Sequence, residues 1–228
     1  MRLFNRTQMN LFISESNSKP HNKTSHNPIV ANLIFCADVI FVCFLVLLTL
    51  YLDVIYFHNP LGETSLTEIS EQLLLLSISI RFFIHSRSEL NRQGSKTCNH
   101  SFILAGAFFL VLLMRELDHW FDFISHGAWV YPALTVAFLG IYNFFKHKSV
   151  SFYQLNELLR HRYAPVLTLG VIFLLVLSRI AGMSAFWHEV MGEDYVRQVK
   201  NIVEEGSELL AYYIIAVGAF KVTKSEQV

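Results

Sequence analysis

Long apolar runs separated by short polar segments organise this chain from residue 29 onward. A helix needs about 20 apolar residues to cross the roughly 30 Å hydrocarbon core of a bilayer with its backbone amides satisfied internally. Six runs approach this length: 29–51, 66–85, 101–120, 128–145, 165–187 and 202–222. The pattern predicts an all-α fold, a six-span transmembrane helical bundle that occupies residues 29–222.

The polar segments outside these runs predict the remaining parts of the chain. We expect residues 1–28 to form a polar, mobile arm and residues 223–228 to form a short tail. Residues 149–163 carry apolar side chains at helical spacing and end in basic residues. This spacing is typical of an amphipathic helix on the membrane surface, and equally of a packed connector between spans.

Composition and charge agree with a membrane protein and orient it. Hydrophobic residues make up 53% of the chain and charged residues 16%, with a mean hydropathy of +0.40, whereas soluble domains carry about 25% charged residues. The 18 basic and 18 acidic residues cancel formally, but the basic ones concentrate in the N-terminal arm, two of the connections and the tail. The positive-inside rule therefore predicts that both termini are cytoplasmic. We expect the membrane to be a bacterial inner membrane.

Ionisable residues fall at one predicted depth, in the outer third of the spans. A rise of about 1.5 Å per residue, counted from the cytoplasmic ends, brings four helices to this layer. Its members are Glu68, Glu71, Arg115, Glu116, Asp118, His119, Arg179, Glu204, Glu205 and Glu208. Because an ionised group in hydrocarbon is costly unless it is paired or hydrated, we expect these side chains to face one another or a water-filled pocket.

A metal site is the first interpretation of this layer. Glu116 and His119 lie three residues apart, which favours one helical face and partly matches four-helix carboxylate metal sites. Carboxylates and one imidazole suit a divalent metal ion. The predicted metal ligands are Glu71, Glu116, His119, Glu204 and Glu208. Arg115 and Arg179 would balance the carboxylates, and His188 in the last outer loop would cap the site.

Two other interpretations use the same layer. A proton-coupled or cation transporter would pass ions along the acids, with Asp38, Glu68, Asp118 and Glu205 on the path. A non-catalytic sensor or assembly subunit would use the charges to fix helix packing or to recognise a partner's span. The acids outnumber the arginines in the layer, so pairing alone does not neutralise them. This surplus favours a bound cation or protonation.

Other function classes lack their motifs. The sequence contains neither GxGxxG nor GxxxxGK[ST], so no nucleotide-phosphate loop is predicted, and it contains neither HExxH nor GxSxG. Its basic residues are dispersed as membrane topology requires, which disfavours nucleic-acid binding. The predicted partners are the lipid bilayer and a small-molecule, ion or lipid substrate, and the predicted chemistry is metal-dependent redox or hydrolysis.

Three short motifs carry a resemblance. EISEQLL, residues 68–74, opens the second span, RELD, residues 115–118, closes the third, and EGSELL, residues 205–210, opens the sixth. In these segments the chain resembles small uncharacterised bacterial multi-pass integral membrane proteins with a Glu-rich, Arg-Glu-[Leu/Met]-Asp polar site. The resemblance implies a polar site built from these three helices, and it implies no particular activity.

Overall fold

The structure, a computed structural model, describes residues 28–57, 65–87 and 98–225. These residues are helical with short connections and contain no strand, which confirms the all-α fold for them. Residues 1–37 and 38–228 form two separate units. In the first unit, the described part is the beginning of one helix. All but the last residue of the predicted arm, and the last three residues of the tail, lie outside the described ranges.

The helices follow the predicted apolar runs. In chain order they are α1 (Pro28–Tyr51), α2 (Leu66–Ser86), α3 (His100–Glu116), α4 (Asp118–Asp122), α5 (Val130–Lys146), α6 (Lys148–Arg160), α7 (Ala164–Ile172), α8 (Ser178–Gly182), α9 (Ser184–Met191) and α10 (Arg197–Ser225). A π-helical turn, Leu52–Tyr56, follows α1, and a second one, Phe173–Leu177, joins α7 to α8.

Three predicted spans differ from the helices at their outer ends. The third breaks at Leu117, where ψ is 14° and α4 begins a new helix. The fifth ends at Gly182, because Met183 is extended with ψ 107° before α9. The sixth begins at Arg197, ahead of its apolar run, which starts at residue 202. An apolar run predicts the part of a helix that hydrocarbon would surround. The helix itself can end before that run does or continue into polar sequence, so the two boundaries differ.

A shared apolar core holds α2, α3 and α10 together. Its fully buried members include Leu75, Ile78, Phe82, Phe102, Leu209, Tyr212 and Ile215. Helix α10 packs between α2 and α7, and α3 packs between α2 and α5. Gly218 permits the contact of α7 with α10, because an added Cβ would lie 2.8 Å from Leu167 Cα. The core therefore fixes the rotation of the three helices that carry the acidic residues.

The start of α2 is fixed by two caps. Ser65 Oγ accepts a hydrogen bond from Glu68 N at 3.1 Å. Asp53, in the π turn after α1, accepts from Leu66 N at 2.8 Å, from Thr67 N at 2.7 Å and from Thr67 Oγ1 at 2.6 Å. Asp53 is only 1% exposed. Its carboxylate satisfies amides that a helix start leaves without partners, and so it attaches the end of α1 to α2.

The helix predicted over residues 149–163 is present as α6. Leu155 and Leu158 pack against the core, whereas Phe152 and Leu159 are exposed. Helix α6 is therefore a packed connector on one side and an exposed apolar surface on the other. The location of α6 on a membrane surface stays a prediction.

Two helical stretches of the described residues are long and apolar enough to cross a membrane. They are Leu33–Tyr56 and Ala164–Gly182, and only 17% and 28% of their most apolar windows are buried. The six-span arrangement and the cytoplasmic position of both termini stay predictions. Residues 59–62, whose sequence Asn-Pro-Leu-Gly predicts a turn, lie outside the described ranges.

Candidate metal centre

Three glutamates from three helices meet in the interior. One carboxylate oxygen from each of Glu71, Glu116 and Glu208 lies within 4.8 Å of the other two. Glu71 and Glu208 are buried, and Glu116 is half-buried. Oxygens that share one divalent cation have separations of this size, because each lies about 2.0–2.6 Å from the ion. We call these residues the glutamate cluster.

The glutamates of α2 and α10 continue the buried stripes of their helices. Glu71 precedes the core residues Leu75 and Ile78 by four and seven positions, and Glu208 precedes the core residue Tyr212 by four. Residues at these spacings lie on one helical face. The apolar packing that aligns the two helices therefore directs both carboxylates to the same place.

Glu71 stands out because its carboxylate has no hydrogen-bond donor or basic partner among the described residues. Both of its carboxylate oxygens are buried, and neither receives a hydrogen bond from the described residues. The charges that act on it, in decreasing order, are those of Glu205, Glu116, Glu208 and Glu68, and all are acidic. A buried carboxylate in such surroundings requires a proton or a cation.

Glu116 and Glu208 have defined partners. Tyr212 donates its hydroxyl to Glu116 Oε1 at 2.7 Å. Arg115 Nη2 lies 3.1 Å from Glu116 Oε1 and 3.8 Å from Glu208 Oε1. With the three glutamates ionised and Arg115 protonated, this group has a net charge of minus two. A divalent cation would balance that charge.

Helix α8 also borders the glutamate cluster. The Ser178 side chain lies near Glu208, and its hydroxyl donates to the carbonyl of Leu174. Ser178 follows directly on the π turn Phe173–Leu177. Such turns interrupt the regular helical hydrogen bonding and are frequent at functional sites. Side chains from α2, α3, α8 and α10 therefore converge.

Two of the predicted metal ligands lie outside the cluster. His119 belongs to α4, beyond the break at Leu117, so its spacing from Glu116 no longer places both on one face. Its ring centre lies 5.4 Å from that of Phe123. Glu204 accepts a hydrogen bond from Lys200 Nζ at 2.5 Å, one turn earlier in α10. Because α10 begins at Arg197, Lys200 lies on the same helix as Glu204 and neutralises its carboxylate.

The residues predicted to balance, cap or extend the site take other positions. Arg179 is exposed and forms no ion pair with the described part of the chain. His188 is exposed, and its ring stacks on Tyr195 with centres 3.9 Å apart. Asp38 forms an ion pair with Lys221, the partner that neutralises it. None of these three side chains reaches the glutamate cluster in the described ranges.

Three further acids were predicted on a proton path. Glu205 and Glu68 lie close enough to act electrostatically on Glu71, so they extend the acidic group along α10 and α2. Asp118 is exposed on α4. Two of the four acids predicted on the path therefore lie near the cluster, and the path itself stays a prediction.

Sequence reasoning missed the polar groups that position Glu116. Tyr212 is the hydroxyl donor to its carboxylate, and Gln72 Nε2 donates to its backbone carbonyl at 3.2 Å. Tyr212 lies four residues after Glu208, and this spacing predicts that both side chains lie on one face of the helix. Within an apolar run, however, a tyrosine also fits the pattern of an ordinary core residue.

Comparisons with protein-family models, curated proteins and solved structures found no match to this chain. The functional inference therefore depends on the geometry and chemistry of its own residues.

Proposed function

We propose that this chain is a multi-pass membrane protein that binds a divalent cation through Glu71, Glu116 and Glu208. The main support for this proposal is the environment of Glu71. Its side chain is 1% exposed, has no hydrogen-bond donor among the described residues and lies close to two further carboxylates. An unpaired acid cluster is stabilised by a cation that takes oxygen ligands. Three carboxylates without an imidazole favour hard ions such as Mg²⁺, Mn²⁺ or Ca²⁺.

The distribution of apolar side chains supports placement in a bilayer. Ile40 and Leu47 on α1 are 70% and 68% exposed, and Phe138 on α5 is 66% exposed, whereas Glu71 and Asp53 are buried. Soluble monomers rarely expose large contiguous apolar patches, and hydrocarbon would remove these side chains from water. We propose six spans in a bacterial inner membrane with both termini in the cytoplasm.

In this arrangement the bound cation would supply hydrolytic chemistry on a membrane-borne or small substrate, or redox chemistry if the ion is manganese. A divalent ion polarises a bound carbonyl or phosphoryl oxygen, or activates a bound water. Arg115 contacts two of the three ligands, so it holds their carboxylates in place and limits their repulsion. Tyr212 donates to the same Glu116 oxygen that Arg115 contacts, and so it helps to orient this carboxylate.

Cation or proton transport is a second candidate, favoured by the acids next to the cluster. Glu205 and Glu68 act on Glu71 and continue the acidic group along two helices. Intramembrane acids in series are typical of ion and proton pathways. Asp38, the predicted inner end of the path, is neutralised by Lys221, so an ion moving inward would have to displace that lysine.

Metal content tests the first proposal. The full chain would be purified in mild detergent, loaded with Mg²⁺, Mn²⁺ or Ca²⁺, dialysed, and measured by mass spectrometry beside Glu71→Gln and Glu157→Gln. Glu157 is exposed on α6 and serves as the matched control. We expect stoichiometric metal in the wild type and the control, and a loss of about tenfold or more in Glu71→Gln. A wild type that holds none of the three ions overturns the proposal.

Two further variants separate the observed cluster from the ligand set expected from sequence spacing. Glu208→Gln removes a cluster ligand and should lose the metal, whereas His119→Ala should retain it. Proteoliposome flux distinguishes transport from chemistry. pH-dependent cation uptake that Glu205→Gln abolishes, with no stably bound metal, would favour the second candidate.

A further inference from the structure

A groove between α2, α3 and α5 is built from residues other than the glutamate cluster. Its volume is about 410 Å³, within the range of sites that hold small molecules or lipid chains. The walls are large apolar side chains: Phe83, Ile103, Leu110, Val136 and Leu139. The floor is formed by Ala107 and Gly140.

The small floor residues explain why the groove exists. A Cβ added to Gly140 would lie 2.8 Å from Ala107 Cβ, so the backbones of α3 and α5 approach closely only because this side chain is missing. The larger side chains that line the groove extend beyond these two small residues on both sides. An apolar trough of this form accommodates a hydrocarbon chain.

One end of the groove is polar and basic. Tyr142 and Asn143 line it. His100 Nδ1 lies 2.7 Å from Asn143 Oδ1, and the ring of His147 stacks on that of His100 with centres 4.1 Å apart. Lys146 Nζ lies 6.0 Å from the centre of the Tyr142 ring. Two imidazoles and an ammonium group therefore surround the polar end.

The basic residues at the polar end of the groove favour lipids with a negatively charged headgroup. Between residues 146 and 162 the basic side chains are Lys146, Lys148, Arg160 and Arg162, and the only acidic one is Glu157. Lys146 and Lys148 are both exposed. A headgroup with net negative charge gains from these cations, and a zwitterionic headgroup gains less.

We propose that this groove binds an anionic phospholipid, with an acyl chain along the apolar trough and the phosphate beside His100, His147 and Lys146. The inference rests on the membrane placement proposed above and does not depend on the metal site. In that placement the basic end faces the cytoplasmic leaflet. Basic pockets between helices on this side are suited to anionic headgroups.

Native mass spectrometry tests the selectivity of the groove. The full chain in detergent would be titrated with dioleoyl phosphatidylglycerol and with dioleoyl phosphatidylcholine, which share their acyl chains. We expect phosphatidylglycerol to bind at a concentration about tenfold lower, and the double variant Lys146→Gln, His147→Gln to lose most of this preference. Lys224→Gln, which removes an exposed lysine at the end of α10, is the control and should retain it.

A second variant tests the trough itself. Val136→Phe narrows the groove and should weaken the binding of both lipids, whereas Leu134→Phe adds the same ring at a 63% exposed position of α5 and should not. Equal binding of the two lipids by wild type, or a preference that survives the double variant, overturns the site. Release of the chain from membranes by alkaline carbonate would instead overturn the membrane placement.

Discussion

Glu71 and Arg115 contribute with opposite signs to the stability of the metal-free protein. Glu71→Gln should raise the free energy of unfolding without divalent cations, because the wild-type carboxylate must either stay charged among buried acids or take up a proton on folding, and the amide needs neither. Arg115→Gln should lower it, because Glu116 and Glu208 lose the cation that lies 3.1 Å and 3.8 Å from them. Each change should amount to about 1–3 kcal/mol, measured by thermal unfolding in detergent with a chelator.

Exposed residues on α6 provide the controls for these two substitutions. Glu157→Gln and Arg160→Gln remove the same charges at exposed positions, and each should change stability by no more than about 0.5 kcal/mol. If Glu71→Gln destabilises the metal-free protein as strongly as Arg115→Gln, the Glu71 charge is not unpaired and the case for a cation at this position fails. Added Mn²⁺ should raise the midpoint of the wild type and leave that of Glu71→Gln unchanged.

The contact between the end of α1 and the start of α2 depends on Asp53. Asp53→Ala removes the acceptor for Leu66 N, Thr67 N and Thr67 Oγ1. Because these buried donors would have no replacement acceptor, we expect a loss of about 2–4 kcal/mol in the free energy of unfolding. Backbone hydrogen exchange should also become faster in the first turn of α2. Glu71 lies in the next turn of the same helix.

Asp194 offers a matched control for that substitution, because it is exposed in the turn before α10. Asp194→Ala should leave both the unfolding midpoint and the exchange of α2 unchanged. Faster exchange spread over all helices of Asp53→Ala would indicate general destabilisation, and a local role of Asp53 at the start of α2 would then be wrong.

Helix positions were predictable from the sequence, but helix rotation was not. The start of α2 at Leu66 follows from the apolar run and from Ser65 as a capping residue. The buried stripe that carries Glu71 is hard to recognise in the sequence, because large apolar residues such as Leu73 and Ile80 also lie on the exposed side of α2. Only packing distinguishes the side that faces the core from the side that faces outward.

The breaks and pairings within helices explain the remaining differences. The break at Leu117 is invisible in a run of residues that all tolerate a helix, and it removes His119 from the face of Glu116. The extension of α10 to Arg197 brings Lys200 to Glu204, a pairing that depends on where the helix begins. The position of each acid along its helix was therefore predictable, whereas membership of the glutamate cluster depended on local backbone geometry.

For the whole molecule, the charge distribution and the apolar runs predict opposite sides of the membrane for two connections. Ser125 lies between α4 and α5, which the six-span topology places outside, and Ser149 lies at the start of α6, which it places inside. Both residues are exposed, so a cysteine at either position is available to a reagent that reaches its side. The described cysteines Cys36, Cys43 and Cys98 would first be replaced by serine.

A membrane-impermeant maleimide applied to intact spheroplasts should label Ser125→Cys and leave Ser149→Cys unlabelled until the membrane is permeabilised. The two variants differ by the crossing of α5 alone, so the comparison tests that helix as a span, although its apolar stretch is shorter than those of Leu33–Tyr56 and Ala164–Gly182. Labelling of both positions from outside would mean that α5 does not cross the bilayer. Labelling of Ser149→Cys alone would reverse the orientation and turn the glutamate cluster toward the cytoplasm, where the cation would be drawn from the cytoplasmic pool.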